Sequence, residues 1–506
     1  MSQNVVIYEQ YADDFGPLGL TRPVYALRVG MTTLAEKIAA HYPDAALHFQ
    51  AREYLAATVP QIVYFKEIFE RRTVSMNSLD AVKQEGGLLI DGAVIASLSK
   101  MPSLDGPPEI GVVNEKFIEN GKPVERVRVV YGRLDAETCK KLSTQACPLK
   151  AAELPTQSAG VPVKDVSAEV VVAAFPWDLV MKNGKAIVAE YQARKKRSAA
   201  APAGVVLRGD LQNTWFSPTS DVSPGVVIDV RDGGGVYVGD NVEIQGNVTL
   251  DARGGPIFIE DCGKGEKTII ESQSLIQGPV YIGKKNMIKQ ATVREGSSFG
   301  PVCRIGGEIE ETIIIGYSNK QHYGFMGHAV IGEWVNWGAG TVNSDLKNDY
   351  SNVVVELSHG RRIDSGQNKT VGCFIGDHTK TGLSTLLNTG TVVGVTSNVL
   401  MNTVTEDKYL PSFCIYVNGA ILPNRPGVKI AETVMGRRNV PLTPECKKML
   451  DYLSAQMRNE LREFSKAAKE RLGLLTPDMK AGVDYVLETH AASIKEWQKQ
   501  KEAKKD

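Results

Sequence analysis

Between about residues 205 and 435 apolar residues recur on a six-residue beat. Val238, Ile244 and Leu250 form one run, Ile276, Ile282 and Ile288 a second, Ile331 and Trp337 a third, and Ile375, Thr381, Leu387, Val393 and Val399 a fourth. Glycine follows many of these anchors directly, at 239, 283, 332, 338, 376, 382 and 394. So short a fixed period predicts a solenoid rather than a sandwich. Three hexapeptides build each triangular coil, the apolar residue points into a narrow core, and its small neighbour lets the corner turn.

The flanking segments follow other periods. Residues 1–192 read as an α/β domain, with a strand at Val5–Tyr8, a helix over Thr32–Tyr42 capped by Thr32 or Thr33, and further strands within Glu85–Ile95 and Ala168–Phe175. Residues 193–204, a basic patch followed by small residues and proline, read as a linker. Within the solenoid segment, residues 343–370 break the beat. Val353–Leu357, a turn at His359–Gly360 and a return through Ile363 predict a hairpin, which reaches from the coil toward a ligand or a neighbouring subunit. Residues 441–506 are helical in pattern. Thr443-Pro444-Glu445 and Thr476-Pro477-Asp478 each offer a cap, a proline for the first turn and an acid behind it. Leu450, Leu453, Met457, Leu461, Phe464, Ala468 and Leu472 form one apolar stripe, and Met479, Val483, Val486, His490, Ile494 and Trp497 a second, with Gly473 at the break. The stripes predict a helical hairpin that packs on the solenoid or the first domain.

Composition narrows the function classes. Lys+Arg and Asp+Glu both number 58, so no chain-wide field draws the protein to nucleic acid or an anionic membrane. A chain of 506 residues, 42% hydrophobic, can bury cores in about three domains. Most of its 48 glycines fall between 204 and 400, where the coil requires small residues. The seven cysteines are scattered with no C-x-x-C pair, which predicts a reducing cytoplasm and neither a disulfide framework nor a zinc cluster. The N-terminal residues have no leader pattern, and no stretch approaches the ~18 apolar residues of a membrane span. His322, His328, His359 and His378 all fall in the solenoid segment, but at spacings unlike those of zinc ligands.

Residues 319–345, NKQHYGFMGHAVIGEWVNWGAGTVNSD, carry the sharpest motif. They resemble the acetyltransferase domain of the bifunctional glucosamine-1-phosphate acetyltransferase / N-acetylglucosamine-1-phosphate uridyltransferase family, whose pattern is K-x-x-H-L-x-Y-x-G-D-A-x-I-G followed by N-x-G-A-G-T. His322, Gly327, Ala329, Ile331-Gly332, Asn336 and Gly338-Ala339-Gly340-Thr341 carry the match. The resemblance implies a left-handed parallel β-helix that assembles as a homotrimer, with acetyl-CoA bound between coils of adjacent subunits. It implies that His322 is the general base, that Asn336 and Lys320 contact the sugar, and that Gly338, Ala339 and Gly340 meet acetyl-CoA. Histidine suits the task, since its ordinary pKa near 6.5 lets it take a proton at neutral pH. This chain departs from the family at Phe325 (a tyrosine there), at Asp345-Leu346 (Asn-Tyr) and at Leu383 (a serine near the CoA), so acceptor or acyl donor can differ.

Residues 16–38 resemble the start of sugar-1-phosphate nucleotidylyltransferases through Pro17-Leu18, Thr21-Arg22-Pro23, Leu27, Val29, Leu34 and Glu36. Pro176-Trp177-Asp178-Leu179 and Asn183 resemble the segment that closes such a Rossmann-like domain before a β-helix. The resemblance implies a nucleoside triphosphate and a sugar phosphate as ligands, with Mg²⁺ if the domain is active. The G-x-G-T-R loop of those enzymes is replaced here by a stretch containing Gln10, Ala12, Asp13 and Asp14, their R-P-K-P lysine by Val24, and a metal-ligand aspartate by Val172. Arg22, Arg28 and Lys37 are the remaining candidates for a phosphate clamp. Two readings stay open: an active enzyme of nucleotide-sugar synthesis, or a trimeric scaffold or sensor that has kept the folds and lost the reactions.

Overall fold

The computed structural model describes residues 3–142, 146–153, 160–194, 201–400, 404–405, 407–417 and 419–473, with isolated positions 481, 484, 488 and 492. The second apolar stripe of the tail, its Thr476 cap and positions 195–200 of the expected linker lie outside the described residues.

The first domain is built on a parallel core of four strands: β1 (Asn4–Tyr8), β2 (Ala46–Phe49), β3 (Val74–Met76) and β4 (Gly87–Asp91). β1 lies between β2 and β4, and β3 pairs with β2. A long antiparallel hairpin, β5 (Glu109–Glu119) and β6 (Lys122–Leu134), continues the sheet beyond β4, and short β7 (Val163–Asp165) adds to β5. Helix α1 (Leu34–His41) starts where its cap predicts: the Thr33 hydroxyl accepts from the Glu36 N–H, and the Glu36 carboxylate accepts from the Thr33 N–H. The segment Ala168–Phe175 differs from expectation. It forms one isolated β-bridge, Val94 to Val172, and single hydrogen bonds to Ala93, Ile95, Ser99 and Lys100, because the segment beside it turns into a short 3-10 helix at Ala96. The chain then enters α2 (Pro176–Ala193).

Beyond Val206 the short strands stack in parallel on three faces, a left-handed hexapeptide β-helix. One face runs unbroken through ten strands, from Thr214–Phe216 to Tyr409–Leu410. All the anchors named above are buried, including Trp337 and Thr381. The glycines beside them are required for steric reasons. A Cβ on Gly332 would stand 2.4 Å from Asp377 Oδ1, and one on Gly394 2.2 Å from the Ser412 nitrogen of the next coil. The left-handed backbone of the corner falls two residues after the glycine, on Val302, Trp334, His378 and Thr396. The corner therefore needs glycine where coils touch and tolerates bulk where the chain bends.

The excursion is a hairpin, β8 (Val354–Ser358) and β9 (Arg361–Asp364). It reaches the chain's own first domain. β9 pairs with β5 at Ile363 and Glu119, and the Asn120 N–H donates to the Arg362 carbonyl at 2.8 Å, so one sheet runs β8-β9-β5-β6-β4-β1-β2-β3. Helix α2 seats the domain from the other side. Fully buried Asn183 accepts from the Gly30 N–H at 2.6 Å and donates to the Gly296 carbonyl at 2.7 Å. Trp177 stacks on Phe175 and meets Phe374 of the coil.

In the tail, α3 (Pro444–Gln456) is capped by Thr443, and α4 (Arg458–Gly473) follows after a break at Met457. Leu450, Leu453 and Leu461 are buried. Tyr452 stacks on Tyr54 of the first domain, and Phe464 packs on Tyr409 and His359 of the solenoid and its hairpin. The seven cysteines are free thiols. Among the described residues no helix is long and apolar enough to cross a membrane.

Candidate active sites at a solenoid corner and a first-domain crevice

The residues singled out in 319–345 fall on two adjacent coils. Asn319 bridges Asn336, which bridges Lys380 one coil further on, so these three share an outward column. The neighbouring inward column runs Ile305, Lys320, Trp337, Thr381. Lys320 is therefore not a surface residue. It is 2% exposed inside the coil, and its ammonium donates to the carbonyls of Gly306 at 2.9 Å and His322 at 2.6 Å. Burial lowers its pKa to about 8. The side-chain alternation that puts Asn319 outside forces Lys320 inside, which removes it from the expected sugar contact.

His322 and Tyr323 stand exposed at the corner that follows. The His322 imidazole makes no hydrogen bond to a described residue. The Tyr323 carbonyl accepts from the Gly340 N–H at 3.1 Å, which holds the His322 turn against the Gly338-Ala339-Gly340 turn of the next coil. Gly338 fits because a Cβ there would lie 2.1 Å from the Gly382 carbonyl. The Ala339 carbonyl accepts from the Ser384 N–H, tying in the coil beyond. Tyr323 and Leu383 are 71% and 66% exposed, so this corner also carries an unpartnered apolar edge.

Ligands of open α/β sheets sit beyond the carboxyl ends of the parallel strands. Here that edge opens on a groove of about 960 Å³ lined by Arg52, Tyr54, Asn77 and Cys147, with Lys448 and Tyr452 supplied by α3. Arg52 is held from below by Glu9 at 3.0 Å and by the Arg22 carbonyl at 3.1 Å. Beside the groove runs a buried charge network. Asp14, in place of a phosphate-binding arginine, pairs with Arg126 and with Arg361 of the solenoid hairpin, the latter at 2.6 Å. Arg126 and Arg128 share Glu115, and Arg128 pairs with Asp91 at 2.7 Å, both fully buried. Burial pushes the Asp91 carboxyl up, against the pull of Arg128. The Tyr11 ring covers both arginines, 4.0 Å from Arg126 and 4.8 Å from Arg128.

These residues do not fit a Mg²⁺ ion. Asp91 is engaged by Arg128 and Gln10, the position where the resemblance implies a metal-ligand aspartate is Val172, and among the described residues no cluster of three His, Cys, Asp or Glu could hold a metal. Nor do Arg22, Arg28 and Lys37 converge as a phosphate clamp. Arg22 is buried against Asp377 and Glu333 of the solenoid; burial alone would lower its pKa, but the two carboxylates raise it. Arg28 donates to the Met31 carbonyl and lies over Tyr64 and over Tyr281 of the coil. Lys37 pairs with Glu190 of α2 at 2.8 Å. Each charge already has a partner: Arg22 and Arg28 meet the solenoid and help dock the domain onto it, while Lys37 ties α1 to α2 within the domain.

The architecture has known relatives. Residues 5–199, nearly all of the first domain and the start of the segment after it, match the profile of the sugar nucleotidyl transferase family. The bifunctional sugar-1-phosphate nucleotidylyltransferase/acetyltransferase of Sulfurisphaera tokodaii is 34% identical over 163 residues, 32% of this chain and 37% of that protein. The bifunctional protein GlmU of Heliobacterium modesticaldum is 25% identical over 202 residues (40% and 33%), and that of Nostoc sp. 27% over 191 (34% and 38%). The chain thus spans about a third of the length of the curated relatives it matches.

Several residues of the first domain carry no recognisable motif in the sequence. The alternation Arg126-Val127-Arg128 in β6, and an aspartate closing the apolar run Leu88–Ile90, were the available signals for the buried network. Nothing local indicated that Arg361, far along the chain, would complete it. In the solenoid His328 was also missed: it lies between Asp345 at 2.8 Å and Glu311 at 3.3 Å.

Proposed function

We propose that the solenoid corner transfers an acetyl group from acetyl-CoA to the amine of an aminosugar phosphate, with His322 as general base. The observation that carries this reading is an exposed imidazole, free of hydrogen bonds to described residues, beside the Gly338-Ala339-Gly340 turn. Its motif match, and relatives named as acetyltransferases, support it. In the reaction the amine nitrogen attacks the thioester carbonyl carbon, the carbon–sulfur bond breaks, and CoA leaves as thiolate. His322 accepts the proton released by the amine and returns it to the sulfur. Asn336, on the adjacent outward column, orients the sugar, and Gly338, Ala339 and Gly340 line the path of acetyl-CoA. The exposed edge of Tyr323 and Leu383 suits burial against a second copy, in keeping with a homotrimer in a reducing cytoplasm. His322→Ala should abolish CoA release from acetyl-CoA plus an aminosugar 1-phosphate while the protein stays folded; undiminished turnover would refute the assignment.

For the first domain, a nucleoside triphosphate and sugar phosphate suit the groove at the strand ends. A second reading, retention of a nucleotide or nucleotide-sugar without turnover, is favoured by the pairing of Asp14 with Arg361 and by the poor fit to Mg²⁺. Pyrophosphate release across a panel of nucleoside triphosphates and hexose 1-phosphates with Mg²⁺ separates the two. Turnover establishes the nucleotidylyltransferase; binding of a nucleotide sugar without turnover establishes the sensor.

A further inference from the structure

A cavity of about 130 Å³ lies where first domain, solenoid and tail meet, away from both sites above. One wall is aromatic. Tyr317 stacks on Trp334 with centroids 4.4 Å apart, and His378 lies parallel to Trp334 at 6.2 Å. The opposite wall is apolar, with Ile62 from the first domain and Leu442 and Leu450 from the tail. A void of roughly 150 Å³ accepts benzene, so this space suits a single six-membered ring.

His378 is the anomaly in that lining. It is 6% exposed, and neither ring nitrogen has a hydrogen-bond partner among the described residues, with Nδ1 fully enclosed. A buried imidazole without partners is costly, and such groups in native structures call for an occupant or water. Its position is set by the coil, since His378 holds the left-handed corner that Trp334 holds one coil below. Burial, with nearby Lys380 adding to it, lowers its pKa to about 3, so the ring is neutral at physiological pH. At the cavity edge Arg22 is already paired with Asp377 and Glu333, so it offers no free positive charge to an anion.

We propose that this junction is a binding site for a small uncharged planar heterocycle of one ring, stacked along Trp334 and hydrogen-bonded to His378. A lactam-type ring, with N–H and C=O side by side, satisfies the imidazole in either tautomer. Because three modules line the cavity, its occupant holds them together, and the site is distinct from the nucleotide groove and the acetyl-transfer corner.

The test uses the full chain and three probes, 2-pyridone, benzene and benzoate, followed by calorimetric titration and by the shift in melting temperature. 2-Pyridone should bind at one site and raise the melting temperature as its concentration rises. Benzene and benzoate should bind at least tenfold more weakly. His378→Phe keeps the stack and suits the corner, since Phe413 already occupies a left-handed corner of the same coil series. It should weaken 2-pyridone at least tenfold. Val440→Phe, which fills the cavity from the tail, should do the same without lowering the melting temperature. Equal binding of benzene, binding that survives both substitutions, or no binding of 2-pyridone at millimolar concentration would each overturn the proposal.

Discussion

His328 gives the most direct test of how charge holds the solenoid together. It sits at a corner with φ +49°, and its two ring nitrogens meet Asp345, at the root of the hairpin excursion, and Glu311. Burial alone would lower the imidazole pKa, but hydrogen bonds to Asp345 and Glu311, and then their charges, outweigh it and raise it to about 9. Against an ordinary value near 6.5, at 1.36 kcal/mol per pKa unit, the linked stabilisation has a ceiling of ~3 kcal/mol. Glu311 is 33% exposed and its share is screened by salt, which places the expected effect at about 1–3 kcal/mol. Because the folded-state pKa lies above the unfolded one, this stability is fully present below about pH 6.5 and disappears as pH rises through about 9. His328→Gln keeps the shape and a donor but loses the charge. At roughly 2–4 °C per kcal/mol for a unit of this size, the variant should melt several degrees below wild type at pH 6. The difference should vanish near pH 10 in scanning calorimetry. Taking wild type minus variant at each pH cancels other titrating groups, including Glu310 and its partner Arg294 beside the site. A gap that is the same at both pH values would show that His328 acts by packing alone, and the electrostatic argument would fail.

Lys320 should behave in the opposite sense: burial lowers its pKa to about 8 from an ordinary 10.4, so it costs stability at neutral pH and the cost is relieved as pH rises from about 8 to 10.4. Lys320→Met should be no less stable than wild type at pH 7 in urea unfolding, and should lose that alkaline rise; a large destabilisation would mean that the two carbonyl bonds dominate. Arg361→Ala strips one partner from Asp14 and from Glu119, and should cost about 1–3 kcal/mol, read as faster hydrogen exchange in 354–364 and at the end of β5. Unchanged exchange there would mean that backbone pairing alone holds the hairpin. Asn183→Ala removes the bonds joining Gly30 to Gly296 and should split one calorimetric transition into two, as the first domain melts away from the coil; a single transition at the original temperature would refute that role.

Much of the framework was legible in the chain because it is local. A six-residue period places every third face of a coil without reference to anything distant, so Val238 through Val399 could be assigned to the core from spacing alone. The Thr33 and Thr443 caps are likewise local, each an oxygen next to the N–H groups it serves. The same alternation carried the information that Lys320 faces inward once Asn319 faces out, but the sugar contact implied by the family resemblance obscured it.

What only the tertiary structure decided is which charges meet. Arg22, Arg28 and Lys37 are the basic candidates for a phosphate clamp, yet each is neutralised or covered by a residue of another element: Asp377, Tyr281, Glu190. Asp14 looks incompatible with an anion site until Arg361 arrives from 347 residues away. Apolar periodicity is a property of neighbouring positions, whereas the state of a buried charge depends on whatever the folded chain brings within a few ångströms. The sequence by itself therefore determined the coil, the caps and the corner that carries His322. The docking of the domains, the sealed network at Asp14 and the cavity at His378 were decided where the three modules close on one another.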